Sequence, residues 1–362
     1  MATYELYLSG PLGNRLAVID EFHKLDWIRA VNDVGGMVLT LGSEQADWRL
    51  FVQDRRLEVW RVLDTGVSHL VRVYFVRKVE RETDDNGKAM IYVTGVDLND
   101  LLARRIVAAD AGSAAASKTD YADNMLKAVV REQLGSLAVA TRGYTANGFT
   151  VAGDVSLGPS LTKAFSRRNV LAVCQDIALA SLDLGTRLYF DVVSPTPSTM
   201  QFRTFTERRG ADHSASRTPF SLVRGTLSSA SVSQDWTTEA NYIYAAGQGL
   251  EEAREVVEVS DAAAIAATPW ARAEALADGR NYTTAASLTA YGRTALQERK
   301  AKRRFRATLA DAPGSRFQLD WDFGDLVMAE YDDEQFACEV AAVHGVVTPA
   351  GELIEARLDY VG

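Results

Sequence analysis

The chain has 362 residues, of which 47% are hydrophobic and 24% are charged, and its formal net charge is −9. This length predicts two or three domains, and the composition excludes a disordered, collagen-like or disulfide-scaffold protein. The N-terminus lacks a basic segment followed by an apolar one, and no window approaches the ~18 apolar residues of a membrane span. We therefore expect neither a secretion signal nor stable membrane insertion.

Charge is distributed unevenly along the chain. Residues 311–362 contain twelve acidic and two basic residues, a net charge of −10, so residues 1–310 carry +1. This acidic segment should repel DNA or attract a basic partner. Six basic residues between Arg299 and Arg306 directly precede it. We expect this basic run to lie at the C-terminal end of a helix, where cations suit the helix dipole, and to face the acidic segment.

The first hundred residues have the alternation and the β-branched and aromatic content of strands. The predicted strands lie at 4–8, 16–19, 37–41, 56–62, 71–79 and 89–96. The turn at 84–87 ends in Asn86-Gly87, a strong hairpin signal because both residues accept positive φ angles. Residues 1–100 are thus predicted to form an N-terminal β-barrel module.

Helical periodicity appears after Asp97. Asp120 is expected to cap a first helix that stops at Gly135, and Asn169 a second one that ends at Gly185. A hairpin with strands at 188–193 and 200–205 follows, and a polar, Ser-rich segment continues from 212 to 234. Residues 101–230 are predicted to form an α+β insertion with two helices and a hairpin.

The last third of the chain returns to strands. A strand at 240–246, an Ala-rich stretch at 261–277 and a helix from Ser287 precede predicted strands at 303–309, 317–321, 326–331, 336–343 and 353–360. Residues 231–362 are predicted to form a C-terminal module with a helix and an acidic β-barrel. The fold class is therefore α+β and β-dominated, with two small antiparallel β-barrel modules near the two ends.

The two ends contain a possible internal repeat. A shift of 264 residues superposes 71–97 on 335–361 and places Val76 on Val340 and Gly87 on Gly351. Both segments read as strand, turn, strand. Because two unrelated hairpins share much of this alternation, duplication and coincidence are both open.

Sequence motifs indicate no catalytic, metal or cofactor site. The four histidines stand singly, without the spacing of metal ligands: His23, His69, His213 and His344. Cys174 and Cys338 are far apart and are expected to be buried, reduced thiols. Gly247-Gln248-Gly249 resembles the start of a dinucleotide fingerprint, but Glu252 replaces its third glycine and no βαβ pattern surrounds it. We predict no enzyme, no cofactor and no bound metal.

The acidic cluster around Asp320 and Asp322 has two interpretations. On a strand these two carboxylates would share one side, close enough to bind a cation or to divide acid and base roles. Alternatively they form a solvated strand face, with Trp321 and Phe323 directed into the core. The second interpretation is the simpler one.

Several short motifs resemble those of hub-type minor tail proteins of long-tailed, non-contractile bacteriophages. They are Tyr4-Glu5-Leu6-Tyr7-Leu8, the segment 13–20, Trp27, Asn32, Val34-Gly35, the segments 56–61 and 95–105, Glu274, Asp278, Arg280 and the segment 323–327. The resemblance spans most of the chain. It implies a fold related to the baseplate hub of tailed phages, with two small β-barrels and α+β insertions between them.

The resemblance also implies a structural role in the virion, at the distal end of the tail, after assembly in the host cytoplasm. Such hubs are homotrimeric rings in which the two barrels of each copy alternate. Their partners are the distal tail protein ring, the end of the tape-measure protein, and tip or receptor-binding proteins. Genome DNA passes through the lumen without specific binding. The chain ends at Gly362, after the last hub-like strand, so no lytic or receptor-binding extension is expected.

Two alternatives belong to other classes. One is a phage-associated cell-envelope hydrolase or carbohydrate-binding module, favoured by paired carboxylates and aromatic residues, although we expect the six dispersed tryptophans to be core residues. The other is a distal-tail ring subunit that forms hexamers. Two hypotheses follow from the hub resemblance: Asp320, Asp322 and Glu355 line the channel, and the basic run 299–306 makes ionic contacts with the acidic segment, within or between subunits.

Overall fold

The protein is described here by a computed structural model of residues 2–83, 87–108, 116–165, 167–215, 219–249, 254–280, 282, 284–310 and 314–361. Its first strands are β1 Thr3–Ser9, β2 Arg15–Ile19, β3 Lys24–Ala30, β4 Gly36–Gly42, β5 Arg56–Val62, β6 Ser68–Thr83 and β7 Ala89–Asp97. All six predicted strands are present, and β3 is added to them. The predicted turn at 84–87 lies largely outside the described residues, but Thr83 pairs with Ala89 beside it.

The middle of the chain alternates short strands with helices. Its elements are α1 Asp100–Ala103, β8 Ala116–Tyr121, α2 Ala122–Gln133, β9 Phe149–Val151, β10 Ser160–Phe165, α3 Val170–Asp183, β11 Leu188–Thr196 and β12 Thr199–Thr206. The predicted cap of α3 is confirmed, because the Asn169 side chain accepts a hydrogen bond from the Ala172 amide. The predicted cap of α2 is wrong: Asp120 lies in β8, and Tyr121 immediately precedes the helix.

The last third contains β13 Phe220–Ser221, β14 Leu227–Asp235, β15 Tyr242–Ala246, β16 Val256–Ser260, α4 Ala262–Ala266, β17 Glu274–Asp278, α5 Ala285–Glu298, β18 Lys302–Leu309, β19 Leu326–Tyr331, β20 Glu334–Thr348 and β21 Gly351–Tyr360. Two differences from prediction matter. The Ser-rich segment contains a strand, β14, and most of the basic run forms β18 rather than a helix end.

Strands from both ends of the chain form one sheet. Its order is β14-β18-β21-β20-β3-β4-β7-β6-β5-β1-β2, with β19 pairing with β20 and β13 with β19. The two ends meet where β3 pairs antiparallel with the second half of β20, from Ala30 opposite Ala342 to Leu25 opposite Val347. Residues of both ends share one hydrophobic core. Within the described residues this path does not close into a barrel, so the two-barrel arrangement stays a prediction.

The same three-stranded meander occurs twice in this sheet. Strands β5-β6-β7 and β19-β20-β21 are both antiparallel, and their central strands carry a bulge at the same relative place, after Val76 and after Val340. Each meander begins after a residue with positive φ, Asp54 at 60° and Gly324 at 85°. The amides of these two residues donate to the carbonyls of Val76 and Val340 respectively. Such shared irregularities favour duplication over coincidence.

The correspondence between the two meanders includes two further strands next to each of them. Strand β4 pairs with β7 and β3 with β4, just as β18 pairs with β21 and β14 with β18. We call β3-β4-β7-β6-β5 the N-terminal unit and β14-β18-β21-β20-β19 the C-terminal unit. The β3–β20 pairing is thus a junction between two similar units.

The middle region has its own hydrophobic core, formed mainly by α2, α3 and the β11–β12 hairpin. On α2 and α3 the apolar side chains recur at helical spacing, so each helix buries one face. A third, smaller core lies between α5 and the sheet β16-β15-β17. The middle region therefore packs directly on the large sheet, since Val73 and Phe75 of β6 belong to its core.

Candidate functional site

The structure places Asp320 and Asp322 in a loop, not on a strand. The Asp320 carboxylate accepts a hydrogen bond from the Arg316 amide at 2.9 Å, and that of Asp322 accepts one from the Phe323 amide at 2.6 Å. The prediction of a strand at 317–321 is wrong because Gln318 adopts a positive φ of 61°, which bends the chain out of extended geometry. Trp321 and Phe323 are buried in the core, as expected.

The most enclosed carboxylate of this loop is Asp325. It accepts hydrogen bonds from the amides of Asp322 at 2.7 Å and Ala211 at 2.6 Å, and His213 lies 3.4 Å from it. Burial raises the pKa of Asp325, although these amides lower it in part. The carboxylate therefore ties two loops together, and each of its oxygens accepts a hydrogen bond from a backbone amide.

In the parts of the chain that the structure describes, no group of three or more His, Cys, Asp and Glu could hold a metal ion. Both cysteines are buried thiols, and burial raises the pKa of Cys338 to about 12. Gly247-Gln248-Gly249 follows β15, whose next strand β16 is antiparallel to it, which is not the parallel arrangement of a dinucleotide fold. The distinctive polar contacts of the described residues instead join the N-terminal unit to the C-terminal unit and to the insertion.

The junction between the two units is packed around Trp27. This side chain is fully buried and stacks on Phe317 with ring centroids 5.8 Å apart. Opposite it on β20 stands Gly345, where an added Cβ would lie only 2.3 Å from the indole. On the other face of the same strand pair, His344 Nε2 lies 2.8 Å from the carboxylate of Asp26. Glycine at this position lets the indole lie directly on the neighbouring backbone.

A buried ion pair adds a second contact between the units. Arg61 on β5 donates to both carboxylate oxygens of Glu352 on β21, at 3.0 and 2.6 Å, and to the Phe317 carbonyl at 2.6 Å. The Tyr4 hydroxyl donates to the same carboxylate at 2.7 Å. Such a two-pronged pair fixes distance and orientation together.

A third charged cluster joins the N-terminal unit to the insertion. The Arg72 guanidinium on β6 bridges Asp97 on β7, at 2.7 Å, and Asp191 on β11, at 2.6 Å. Arg209 also contacts Asp191, at 2.9 Å. Burial alone would raise the pKa of Asp191, but the charges of Arg72 and Arg209 outweigh burial and lower that pKa to about 2. Asp191 is therefore held as an anion inside the protein.

Neutral side chains complete this attachment. The Asn32 amide accepts from the Phe190 amide at 2.8 Å and donates to the Leu188 carbonyl at 3.0 Å. Asn99 accepts from the Val192 amide at 2.8 Å. The tail-protein motifs noted in the sequence thus supply residues that position one chain region against another. Arg72 and Asp191 were missed, because a single Arg and a single Asp within strands carry no spacing signal.

The basic run contacts the acidic segment within the chain. Arg303 on β18 donates to Glu334 at 2.6 Å, and its guanidinium lies 4.5 Å from the centre of the Phe336 ring. Arg299 directly follows α5, and Lys300 lies 3.4 Å from Asp261. The expected helix-end position is therefore right for the first two bases only. The Arg303–Glu334 pair is one ionic contact within the chain between the basic run and the acidic segment, as the hypothesis expects.

Two further expectations need correction. Glu355 projects from β21 on the side away from the core, whereas the loop that carries Asp320 and Asp322 packs on the core side, so the three carboxylates do not share one surface. Of the tryptophans, Trp27 and Trp321 are core residues, but others are exposed: Trp48 by 37%, Trp236 by 57% and Trp270 by 92%. Aromatic content alone did not distinguish buried from exposed positions.

Comparison with known proteins gives one family and several similar folds. The family model described as Siphovirus ReqiPepy6 Gp37-like protein matches residues 6–358. No curated protein matches. The chain is similar to the 43 kDa tail protein of prophage MuSo2 from Shewanella oneidensis, with 14% identity, a TM-score of 0.61, and 99% and 98% of the two chains covered.

Two other crystal structures have similar folds. For the tail protein from Neisseria meningitidis MC58 the identity is 12%, the TM-score 0.60, and the coverage 99% of this chain and 97% of that one. For prophage tail protein gp18 from Listeria monocytogenes EGD-e the values are 11%, 0.52, 99% and 94%. None of the described helices combines the length and apolar character needed to cross a membrane.

Proposed function

Since the chain belongs to the Siphovirus ReqiPepy6 Gp37-like protein family, a siphovirus tail protein family, we propose that it is the hub of the tail tip. In this proposal three copies form a ring that joins the distal end of the tail tube to the tip and lets DNA pass during ejection. The partners are the distal tail protein ring, the end of the tape-measure protein, and tip or receptor-binding proteins. The role is structural, without catalysis, at the distal end of the virion tail.

One observation carries this proposal: the chain contains two similar five-stranded units joined edge to edge. Three copies would supply six such units. A ring of six similar units has approximately the sixfold symmetry of a hexameric partner ring. Each of the three subunits contributes two of these units in a single chain. The buried pairs Arg61–Glu352 and Arg72–Asp191 support it as well, because they hold the units and the insertion at fixed positions.

The test is the mass of the purified protein in solution, measured by light scattering, alone and with the distal tail partner. We expect a trimer, or a monomer that forms a trimer on the partner ring. A hexamer would instead favour a distal-tail ring subunit. A monomer that ignores the partner would contradict both tail-ring proposals.

The cell-envelope hydrolase alternative now has less support. Besides aromatic residues, it rested on Asp320 and Asp322 sharing one strand face, and the structure puts both in a loop where each carboxylate accepts a hydrogen bond from a backbone amide. A turnover assay on cell-wall polysaccharide discriminates, with Asp322→Asn as the variant. Turnover that this variant abolishes would revive the hydrolase.

A further inference from the structure

The junction inside the chain shows how two of these units pair. Six residues of β20, Ala342 to Val347, pair antiparallel with Leu25 to Ala30 of β3. The pairing begins just past the bulge of β20, where the Val31 amide also donates to the Ala341 carbonyl at 2.9 Å. The strand edge beyond the bulge of the C-terminal unit is thus covered by the outer strand of the N-terminal unit.

The corresponding edge of the N-terminal unit is uncovered. Beyond its own bulge, residues 78–83 of β6 pair with β7 on one side, and no described strand pairs with them on the other. Their side chains are mostly exposed. The outer strand of the C-terminal unit is β14, which among the described residues pairs with β18 alone and is also largely exposed. Among the described residues, one chain therefore presents two different unpaired strand edges, residues 78–83 of β6 and strand β14.

We infer that the second half of β6 in one copy pairs antiparallel with β14 of a neighbouring copy, in the register of the β20–β3 junction. The strand pairings of the two units fix that register: β6 and β20 correspond at a shift of 264 residues, and β7 and β21 at a shift of 263, because Val76 pairs with Gly95 and Val340 with Leu358. They place Lys78 opposite Asp235, Glu80 opposite Ser233 and Thr83 opposite Ala230. The inference rests on the proposed function, because it names the contact that would hold the ring together.

The side chains at these positions agree with the pairing. Lys78 and Asp235 carry opposite charges at directly opposed positions, which favours an antiparallel pair. On the other face, Val79 of β6 and Ala230 and Val232 of β14 are half-buried and pack against the large core. The matching face of the internal junction buries Trp27 and Val343, with the buried Arg29 directly opposite Val343. In this register Val79 lies opposite Gln234 and Arg81 opposite Val232, so the partly buried side chains of the two copies alternate with polar ones across the boundary.

Because the two edges differ, the contact is head to tail, and such contacts make either a closed ring or an open filament. Charged residues on β6 can also protect an edge from pairing, so the contact must be tested directly. The variant Glu80→Cys with Ser233→Cys places two thiols at directly opposed positions. This pair corresponds to His344 and Ile28 of the internal junction. Opposed Cβ atoms in such pairs lie ~4.5–5.5 Å apart, near the reach of a disulfide.

The cross-link reports on contact between copies. Within one chain, six strands separate β14 from β6, so the two cysteines cannot meet intramolecularly along the sheet. The native Cys174 and Cys338 are buried and should not react. We expect covalent trimers on non-reducing gels after mild oxidation, alone or with the distal tail partner, and their loss on reduction.

The matched control combines Glu80→Cys with Gln234→Cys, which moves one thiol to the neighbouring residue and the other face of β14. This control should give no covalent trimer. If light scattering finds a trimer but Glu80→Cys/Ser233→Cys does not cross-link, the edge assignment is overturned and the hub proposal stands. A cross-linked ladder beyond trimers would support the edge pairing and contradict a three-copy ring. A monomer without cross-links in the partner's presence would overturn both.

Discussion

Glu339 on β20 is a carboxylate in an apolar setting. Burial raises its pKa from 4.5 to about 7, even though the Tyr189 hydroxyl donates to its Oε2 at 3.0 Å. A carboxyl whose pKa is raised by folding stabilises the folded state only while it is protonated. That stabilisation is complete below pH 4.5 and is lost as the pH rises through about 7. The folded protein thus carries an unfavourable buried charge in alkaline solution.

We therefore expect Glu339→Gln to stabilise the protein at pH 8, because the amide carries no charge and can still accept from Tyr189. The gain should be about 2 kcal/mol and should vanish near pH 4.5. Calorimetric melting between these pH values measures it. Glu21→Gln, at an exposed loop position, is the control and should show no such trend. An equal shift of both variants at every pH would contradict the assignment to burial.

At this scale the sequence predicted chemical types better than contacts. Buried Trp321, Phe323 and both cysteines were foreseen from hydrophobicity alone. The Arg72–Asp191 pair was not, because its members are 119 residues apart and the pairing depends on how β6 and β11 meet. Long-range ion pairs leave no periodic trace in one sequence.

The pairing of β3 with β20 is the element that joins the two ends of the chain, and Gly345 is its tightest point. Gly345→Ala would place a methyl group 2.3 Å from the Trp27 indole, so the strands must separate or the ring must move. We expect a loss of stability of about 2 kcal/mol, as for other overpacked cores. Thermal or urea denaturation of the purified variant measures it.

The matched control is Gly153→Ala, at a glycine whose added Cβ would meet no atom within 4 Å. This variant should stay within about 0.5 kcal/mol of the parent protein. Similar stabilities for the two variants would show that the junction tolerates a wider spacing. The internal junction would then be a weaker template for contacts between copies.

Among the elements, hairpins and helices were predictable because their signals are local. The β11–β12 hairpin and α3, with its Asn169 cap, appear as expected. Edge strand β14 was missed because its serines give little hydrophobic alternation, and an edge strand needs only one buried face and one partner. The β3–β20 pairing could not be predicted, since 312 residues separate Ala30 from Ala342.

The whole molecule combines a nearly neutral body with an acidic C-terminal segment. In a ring that lets DNA pass, exposed carboxylates on the wall would repel phosphates and prevent binding in the channel. Asp322 is exposed on the core-side loop, and Glu355 is exposed on the opposite side of β21. These two positions therefore test which side of the C-terminal unit faces the channel.

We expect Glu355 to line the channel. In Glu355→Cys, reaction with a small maleimide should be similar before and after ring assembly, whereas reaction with a large polyethylene-glycol maleimide should slow several-fold, because the channel restricts its entry. In Asp322→Cys, placed on the other side, both reagents should keep their rates. If only the Asp322→Cys reaction slows, the core-side loop faces the channel. If neither reaction slows, neither Glu355 nor Asp322 lines the channel. Because Cys174 and Cys338 are buried, labelling of the folded protein reports on the introduced thiol.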